Sequence, residues 1–350
     1  MSATINDVAK RAGVSPKTVS NVINARPHVR EATRSRVLQA IQELGYHPDV
    51  AARGMVTKRR SLIGFMLWDI LNPAYTEMVE IIVAKAREAG YMVILGNVAR
   101  DPAEEERLAT LLIERRIDGA ILASTTNDSD VPNRLMASGV PVVLVSRYPD
   151  QLSTDYVGVD NLGGGTLVTQ HLLRLGHERI AFIRGARLTS TSMDREAGYR
   201  NALANHGIDC DPDLVVEGNY TPRGAYEAAH RLLTLRHRPT ALVCANDVMA
   251  ISAMDAVADA GMRVPEDVAV TGFDDIAVAG SRCVALTTVR CEMDRMAREA
   301  VNLLLSRMNS PLTEAQRKVI FPAELVVRRT CGASLCGRSR NGLAALSGVK

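Results

Sequence analysis

Residues 4–48 read TINDVAKRAGVSPKTVSNVINARPHVREATRSRVLQAIQELGYHP, and the apolar spacing in this stretch predicts three short helices. Thr4 opens the first as an N-cap with Asp7 three residues on; Val8, Ala9 and Ala12 follow, and Gly13 breaks the helix. Ser15 caps the second, with Pro16 at the first position, where a missing N–H is harmless, and Val19, Val22 and Ile23 make one apolar face. The third runs from about Glu31 to Leu44, with Val37, Ile41 and Leu44 inward, and stops at Gly45. Three helices, the first two joined by a tight Gly-containing turn, are a helix-turn-helix layout. The second helix offers Pro16 and Lys17 at its N-terminal end, with Ser20 and Asn21 one turn later on the same face.

Charge separates this head from the rest of the chain. Residues 1–60 hold 11 Lys and Arg against 4 Asp and Glu, while residues 61–330 hold 28 against 35, so a net charge of +3 conceals a basic head on an acidic body. That asymmetry points to a polyanionic partner for the head. At 350 residues the chain has room for two or three domains, and 47% hydrophobic with 23% charged residues excludes wholesale disorder. No apolar run approaches the ~18 residues that span a bilayer, and the polar N-terminus lacks a signal-peptide pattern. Six Cys at irregular spacing, with no CxxC pair, argue against a disulfide framework or zinc site and fit a cytoplasmic protein.

Residues 46–60 (YHPDVAARGMVTKRR) read as a connector, with the linker proper at 49–60. A helix this short is marginal in water, so residues 49–56 are expected to become helical only when something holds them. From residue 61 apolar strands alternate with amphipathic helices. Strands are expected at Leu62–Trp68, Met92–Asn97, Gly119–Ala123, Val142–Ser146, Ile180–Arg184, Ala241–Cys244 and Val268–Phe273. Helices are expected near Tyr75–Ala89, Glu104–Arg115, Thr166–Leu175, Arg195–Ala204, Ala225–Leu235, Val248–Ala260 and Arg295–Met308. This alternation implies an α/β body (61–330) of two doubly wound parallel-sheet subdomains, with the chain crossing between them near 160 and 290. The Gly/Ser-rich basic tail, 331–350, reads as disordered.

The head resembles the DNA-binding domain of the LacI/GalR transcription regulators through its DVA start, AGVS turn, TVSNVIN helix, TR.RV third helix and ELGY.P exit. The resemblance continues through NPAYTEMVE (72–80), DGAILA (118–123), DN..GG (160–165), LGH.RIAFI (175–183), RPTALVCANDVMAI (238–251), VPEDVAVTGFDD (264–275) and LTTV (286–289). It implies a helix-turn-helix domain (1–48), a hinge, and a periplasmic-binding-protein-like (type I) body. It implies a homodimer, or a higher oligomer, that binds a palindromic operator in double-stranded DNA under control of a small-molecule effector, with no cofactor.

Matched residue by residue, Pro16, Lys17 and Asn21 take the base-reading places, with Ser15 and Ser20 beside them. Lys17 can donate to guanine and Asn21 can pair with adenine, whereas Pro16 offers only apolar contact. Thr4, Thr18, Asn24, His28 and Thr33 match phosphate-contacting places. Met55 stands where the family commonly has a minor-groove leucine wedge, beside Gly54, which weakens a helix by about 1 kcal/mol. In the body the matched effector-binding positions are Tyr75, Arg147, Thr189, Thr191, Arg195, Tyr220, Asn246 and Asp274. Arg195 suits vicinal hydroxyls or a carboxylate, Asp274 accepts from hydroxyls or ring N–H groups, and the rings can stack on a sugar or base. The mixture reads as carbohydrate-binding, with a nucleoside or purine-like corepressor as the alternative. Ser146 departs from the acidic residue frequent there.

An enzyme is disfavoured. Gly163-Gly164-Gly165 is not GxGxxG, no GxxxxGK[ST] or GxSxG occurs, and no His pair has metal spacing; His171 and His177 read as helix and loop residues. A solute-binding protein would share the body but lack the basic head.

Overall fold

Capping chemistry starts the first helices where the sequence places it. In the computed structural model, which describes residues 3–23, 26–46, 60–151, 154–309 and 315–333, the Thr4 N–H donates to the Asp7 carboxylate at 2.8 Å while the Asp7 N–H donates to the Thr4 hydroxyl at 3.3 Å. This reciprocal pair opens α1 (Ile5–Ala12), and Gly13 at φ +63° closes it. The Ser15 hydroxyl accepts from the Thr18 N–H at 3.2 Å at the start of α2 (Pro16–Ile23). With α3 (Glu31–Glu43), these helices bury Val8, Ala9, Ala12, Val19, Val22, Val37 and Ala40, with Ile23, Ile41 and Tyr46 packed around them. Leu44, expected inward, is exposed instead: it lies just past the last turn of α3, where Gly45 at φ +56° turns the chain away.

The chain forms two compact units, Met1–Ser61 and Leu62–Lys350. The second contains two six-stranded sheets. The first sheet comprises β1 (Leu62–Leu67), β2 (Met92–Asn97), β3 (Gly119–Ala123), β4 (Val142–Val145), β5 (Asp155–Val159) and β11 (Lys318–Phe321), all parallel, in the order β11-β5-β4-β3-β1-β2. The second comprises β6 (Ile180–Arg184), β7 (Val215–Glu217), β8 (Ala241–Cys244), β9 (Ala269–Asp274), β10 (Thr287–Arg290) and β12 (Glu324–Val326), in the order β12-β10-β9-β8-β6-β7. Among the described residues only β12 runs antiparallel to its neighbour. Helices α4 (Pro73–Glu88), α5 (Pro102–Glu114), α6 (Val131–Ala137), α7 (Asn161–Arg174), α8 (Ser190–Asn205), α9 (Pro222–Leu233), α10 (Asp247–Asp259) and α11 (Met293–Arg307) connect the strands.

The seven expected strands and seven expected body helices are present with small shifts at their ends. Strands β5, β7, β10, β11 and β12 and helix α6 were not expected. β5 (DYVGV) and β11 (KVIF) carry polar residues that local pattern assigns to loops; they become strands because they pair with each other at one edge of the sheet. Asp155 tolerates burial in β5 because Arg307 and Arg317 reach it, at 2.7 and 3.1 Å. The chain passes between sheets after β5, after β10, and a third time between β11 and β12, where two crossings were expected. At the C-terminal end, Cys331 is wholly buried with its Sγ 3.2 Å from His171 Nε2, so the body extends past the residue where the tail was expected to begin. Residues 334–350 lie outside the described residues, as do the linker residues 49–59. Among the described residues no helix is long and apolar enough to cross a membrane.

Candidate functional site

Both sheets place their first strand between the second and third: β1 lies between β2 and β3, and β6 between β7 and β8. In such sheets the loops leaving the carboxyl ends of the strands part at this point and form a crevice for ligands. Here residues from the carboxyl ends of both sheets line one cleft. Trp68 and Asp69 follow β1, Ser146 and Arg147 follow β4, Tyr220 follows β7, Asn246 follows β8, and Asp274 ends β9. Helices contribute the rest: Asn72, Ala74 and Tyr75 at the start of α4, Thr191 and Arg195 on α8, and Met293 at the start of α11.

Arg195 organises the wall belonging to the second sheet. Its Nε donates to Asn161 Oδ1 at 2.8 Å, Nη1 to the Ala245 carbonyl, and Nη2 to Asp274 Oδ1 at 3.3 Å. The guanidinium also lies 3.6 Å above the centre of the Phe273 ring. Burial pushes the Asp274 carboxyl above its usual range and the facing Arg195 charge draws it only part of the way back. Asn246 accepts from the Met249 N–H at 3.0 Å and so caps α10 while its side chain borders the cleft. Behind it, Asp247 is wholly buried, accepts from Ile276 N–H at 2.9 Å, and is held well above the ordinary carboxylate range by burial and by Asp274.

The opposite wall, from the first sheet, presents Trp68, Tyr75 and Arg147, and Tyr220 faces it from the turn after β7. The Arg147 guanidinium lies 4.8 Å from the Trp68 ring centre and 5.4 Å from that of Tyr220. The Tyr220 hydroxyl is 3.0 Å from Thr191 Oγ1, and burial raises the Tyr75 phenol above its usual range. Three of the lining residues stand at positive φ: Ser146 at +68°, Tyr220 at +55° and Asp274 at +112°. Side chains rarely adopt such backbone, and strain of this kind concentrates at ligand clamps. The water-sized free space among the lining side chains is about 30 Å³, against the several hundred that ligand pockets usually enclose. A ligand of sugar size therefore enters only with movement of side chains or of one sheet's wall against the other.

Seven of the eight expected effector positions meet in this cleft: Tyr75, Arg147, Thr191, Arg195, Tyr220, Asn246 and Asp274. Thr189 does not. It is the N-cap residue of α8, wholly buried, and its hydroxyl donates to the Ala186 carbonyl at 2.7 Å, so it shapes the turn into α8 and does not border the cleft. Sequence reading missed Trp68, Asp69, Asn72, Ala74 and Met293 as lining residues, and Asn161 as the acceptor that orients Arg195. The NPAY and DN..GG segments contained Asn72 and Asn161, yet each reads locally as a helix start, which both also are.

In the first unit, Pro16 and Lys17 are exposed at the N-terminal end of α2, with Ser20 and Asn21 partly exposed on the next turn. Ser15 and Thr18 bond to each other at 3.0 Å, and Thr4 serves the capping box. His28 is exposed and Thr33 partly so. Asn24 and Met55 lie outside the described residues.

A basic helix-turn-helix unit followed by a two-sheet body with a polar cleft at the carboxyl ends of its strands is the arrangement of a DNA-binding regulator with a ligand-binding body. Comparison with known proteins makes this specific. Residues 4–49 match the model of bacterial regulatory proteins of the lacI family, and residues 169–331 match that of the periplasmic binding protein-like domain. The transcriptional repressor PurR of Haemophilus influenzae (strain PittEE) is 34% identical over 331 residues, 94% of this chain and 98% of the relative. The transcriptional regulator DegA of Bacillus subtilis (strain 168) is 34% identical over 333 residues, 94% and 98% of the two chains. Among solved structures, a CelR–cellobiose complex is similar with 34% identity and a TM-score of 0.72, over 94% of this chain and 99% of that one. The lac repressor dimer bound to operator and the anti-inducer ONPF is similar with 28% identity and a TM-score of 0.83, over 95% and 99%. The chain belongs to the lacI family and is a DNA-binding transcriptional repressor of that family.

Proposed function

We propose that this repressor acts as a homodimer whose two α2 helices read a palindromic operator, and that a small molecule in the cleft sets its affinity for DNA. Lys17 and Asn21 read bases with Ser15 and Ser20 beside them, Pro16 makes apolar contact, and Thr4, Thr18, Asn24, His28 and Thr33 set register on the backbone. Met55 wedges the minor groove at the operator centre. Dimerisation follows from symmetry, because one head reads few base pairs and a two-fold axis doubles the contacts.

The observation that carries the effector reading is the Arg195–Asp274 pair, buried where the carboxyl ends of two sheets face each other. A ligand touching both walls binds the closed cleft more tightly than the open one, and only such a difference can move the equilibrium. The effector is a sugar or sugar derivative: Asp274, Asn246, Thr191 and Arg195 match hydroxyl groups, and Trp68 and Tyr220 offer ring faces. Similarity to a regulator in complex with cellobiose supports this reading. The same ring faces favour a second reading, a flat purine-like corepressor, which similarity to PurR supports.

The test is direct. Selection from a random DNA pool yields the operator, and sugars and purines are then titrated into the protein–operator complex. A palindrome whose binding shifts with a sugar supports the main reading. Recovery of no palindrome sinks the DNA reading, and a response to purines alone selects the second.

A further inference from the structure

The charges around the cleft do not balance. Arg195 is paired with Asp274 at 3.3 Å, and Asp69 with Arg100 at 3.5 Å. Arg147 is 3% exposed and has no carboxylate in ion-pair range among the described residues. Its Nε and Nη1 are buried with no hydrogen-bond acceptor among the described residues. The indole N–H of Trp68, whose ring packs against the same guanidinium, is likewise buried without an acceptor among the described residues. Three unmet donors thus cluster on one wall, together with a guanidinium whose neighbouring carboxylates are bound elsewhere, Asp274 to Arg195 and Glu105 to Ser124 and Ser129. A buried charge of this kind is costly, and buried donors in native proteins are nearly always met by something. Two ring faces hold the cation in place but accept none of its hydrogen bonds.

We propose that the effector carries a carboxylate that docks on Arg147 and the Trp68 indole N–H, making it a hydroxylated acid of the sugar-acid class. The inference rests on the cleft being the effector site. A neutral hydroxyl could accept these bonds but would leave the charge in place. A carboxylate matches the planar fork of arginine two bonds at a time and cancels one positive charge with one negative. A phosphate monoester shares the oxyanion chemistry but brings nearly two negative charges to a site with one to cancel. The polar groups on the Arg195–Asp274 wall remain for the hydroxyls. Arg147 is therefore the residue that discriminates an acid from the corresponding neutral sugar.

The experiment uses the full chain in a chloride buffer free of other oxyanions. Binding is measured by calorimetry and melting temperature for the pairs glucose and gluconate, galactose and galacturonate, and cellobiose and cellobionate, with glucose 6-phosphate as a further arm. The expected result is that at least one acid binds tenfold or more tightly than its neutral partner, a difference lost in Arg147→Gln and partly kept in Arg147→Lys. Without ligand, Arg147→Met is expected to melt no lower than wild type, since it removes a buried charge that has no ion-pair partner among the described residues; a purely structural arginine would give the opposite. Equal binding within every pair overturns the proposal, as does a preference that survives Arg147→Gln, binding by none of the acids, or tightest binding by the phosphate ester. Binding lost in Asp274→Ala but unchanged in Arg147→Gln removes the carboxylate and keeps the cleft. Binding unchanged in both variants removes the cleft itself as the effector site.

Discussion

Arg195 and Asp274 approach to 3.3 Å with side chains only 5% and 6% exposed, tying the second turn of α8 to the last residue of β9. Because the pair borders the cleft, its groups serve stability and ligand recognition together. Removing one partner strands the other: the cost of breaking a buried pair is about 3–5 kcal/mol. Asp274→Asn keeps an acceptor for Arg195 and is the gentler variant. Both Asp274→Asn and Asp274→Ala are expected to bind operator with wild-type affinity and to lose the response to effector, with Asp274→Ala also melting lower. Titration of ligand into the protein–operator complex decides this, and a wild-type response in both variants places the effector elsewhere.

Gly165 and Gly198 let α7 and α8 approach so closely that a Cβ on Gly165 would stand 2.3 Å from the Arg195 carbonyl oxygen, and one on Gly198 2.2 Å from that of Leu162. Backbone cannot yield as a side chain can. Gly165→Ala is expected to lower stability by about 1–3 kcal/mol and to displace the turn that carries Arg195, weakening the effector response more than operator binding. Denaturant unfolding and ligand titration measure the two effects; a variant that matches wild type in both would show that the helices separate freely.

Asp155 is expected to make the stability of the fold depend on pH. Burial alone pushes its carboxyl up, but bonds from Arg307 and the Arg317 N–H, with both guanidinium charges, bring it below its usual value. A carboxyl lowered by folding stabilises the native state above its unfolded pKa, near 4, and that contribution disappears as pH falls through the folded value. Asp155→Asn should lose roughly 3–5 kcal/mol at pH 7. The gap to wild type should narrow as pH drops below about 4, as read by urea unfolding across pH. A gap constant with pH would show that the lowered carboxyl does not contribute.

On DNA, Lys17→Ala or Asn21→Ala is expected to relax preference at one base position per half-site, at a cost of about 1–3 kcal/mol. Binding to operators altered at single positions measures this. A loss spread evenly over all sequences would assign these side chains to the phosphates.

Operator affinity is expected to fall by roughly 10³–10⁵ between 50 and 200 mM salt if 6–10 phosphates are neutralised. Met55→Ala should weaken specific binding while leaving this salt-sensitive, non-specific binding nearly intact. Equal losses on operator and random DNA would contradict the wedge.

The sequence by itself determined the elements and their order. Thr4, Asp7, Ser15 and Pro16 mark helix starts through bonds that span three residues, so the chemistry is local and legible. The apolar runs at β1, β3, β4, β6, β8 and β9 are strands buried on both faces, which need no partner to be recognised. The eight cleft positions came from likeness to a family, and seven of them meet. The tertiary structure alone decided the rest. The edge strands β11 and β12 exist because the chain returns to each sheet after the third crossing, and no local pattern encodes that return. Thr189 and Thr191 are two residues apart, yet only Thr191 borders the cleft, because the first turn of α8 rotates their side chains to different sides. In sequence Trp68 reads as the end of a strand, and Arg147 as one effector position among eight. Their unmet donors become visible only when β1, β4 and the turn after β7 bring Trp68, Arg147 and Tyr220 together, since whether a buried charge has a partner depends on every chain segment that could have supplied one.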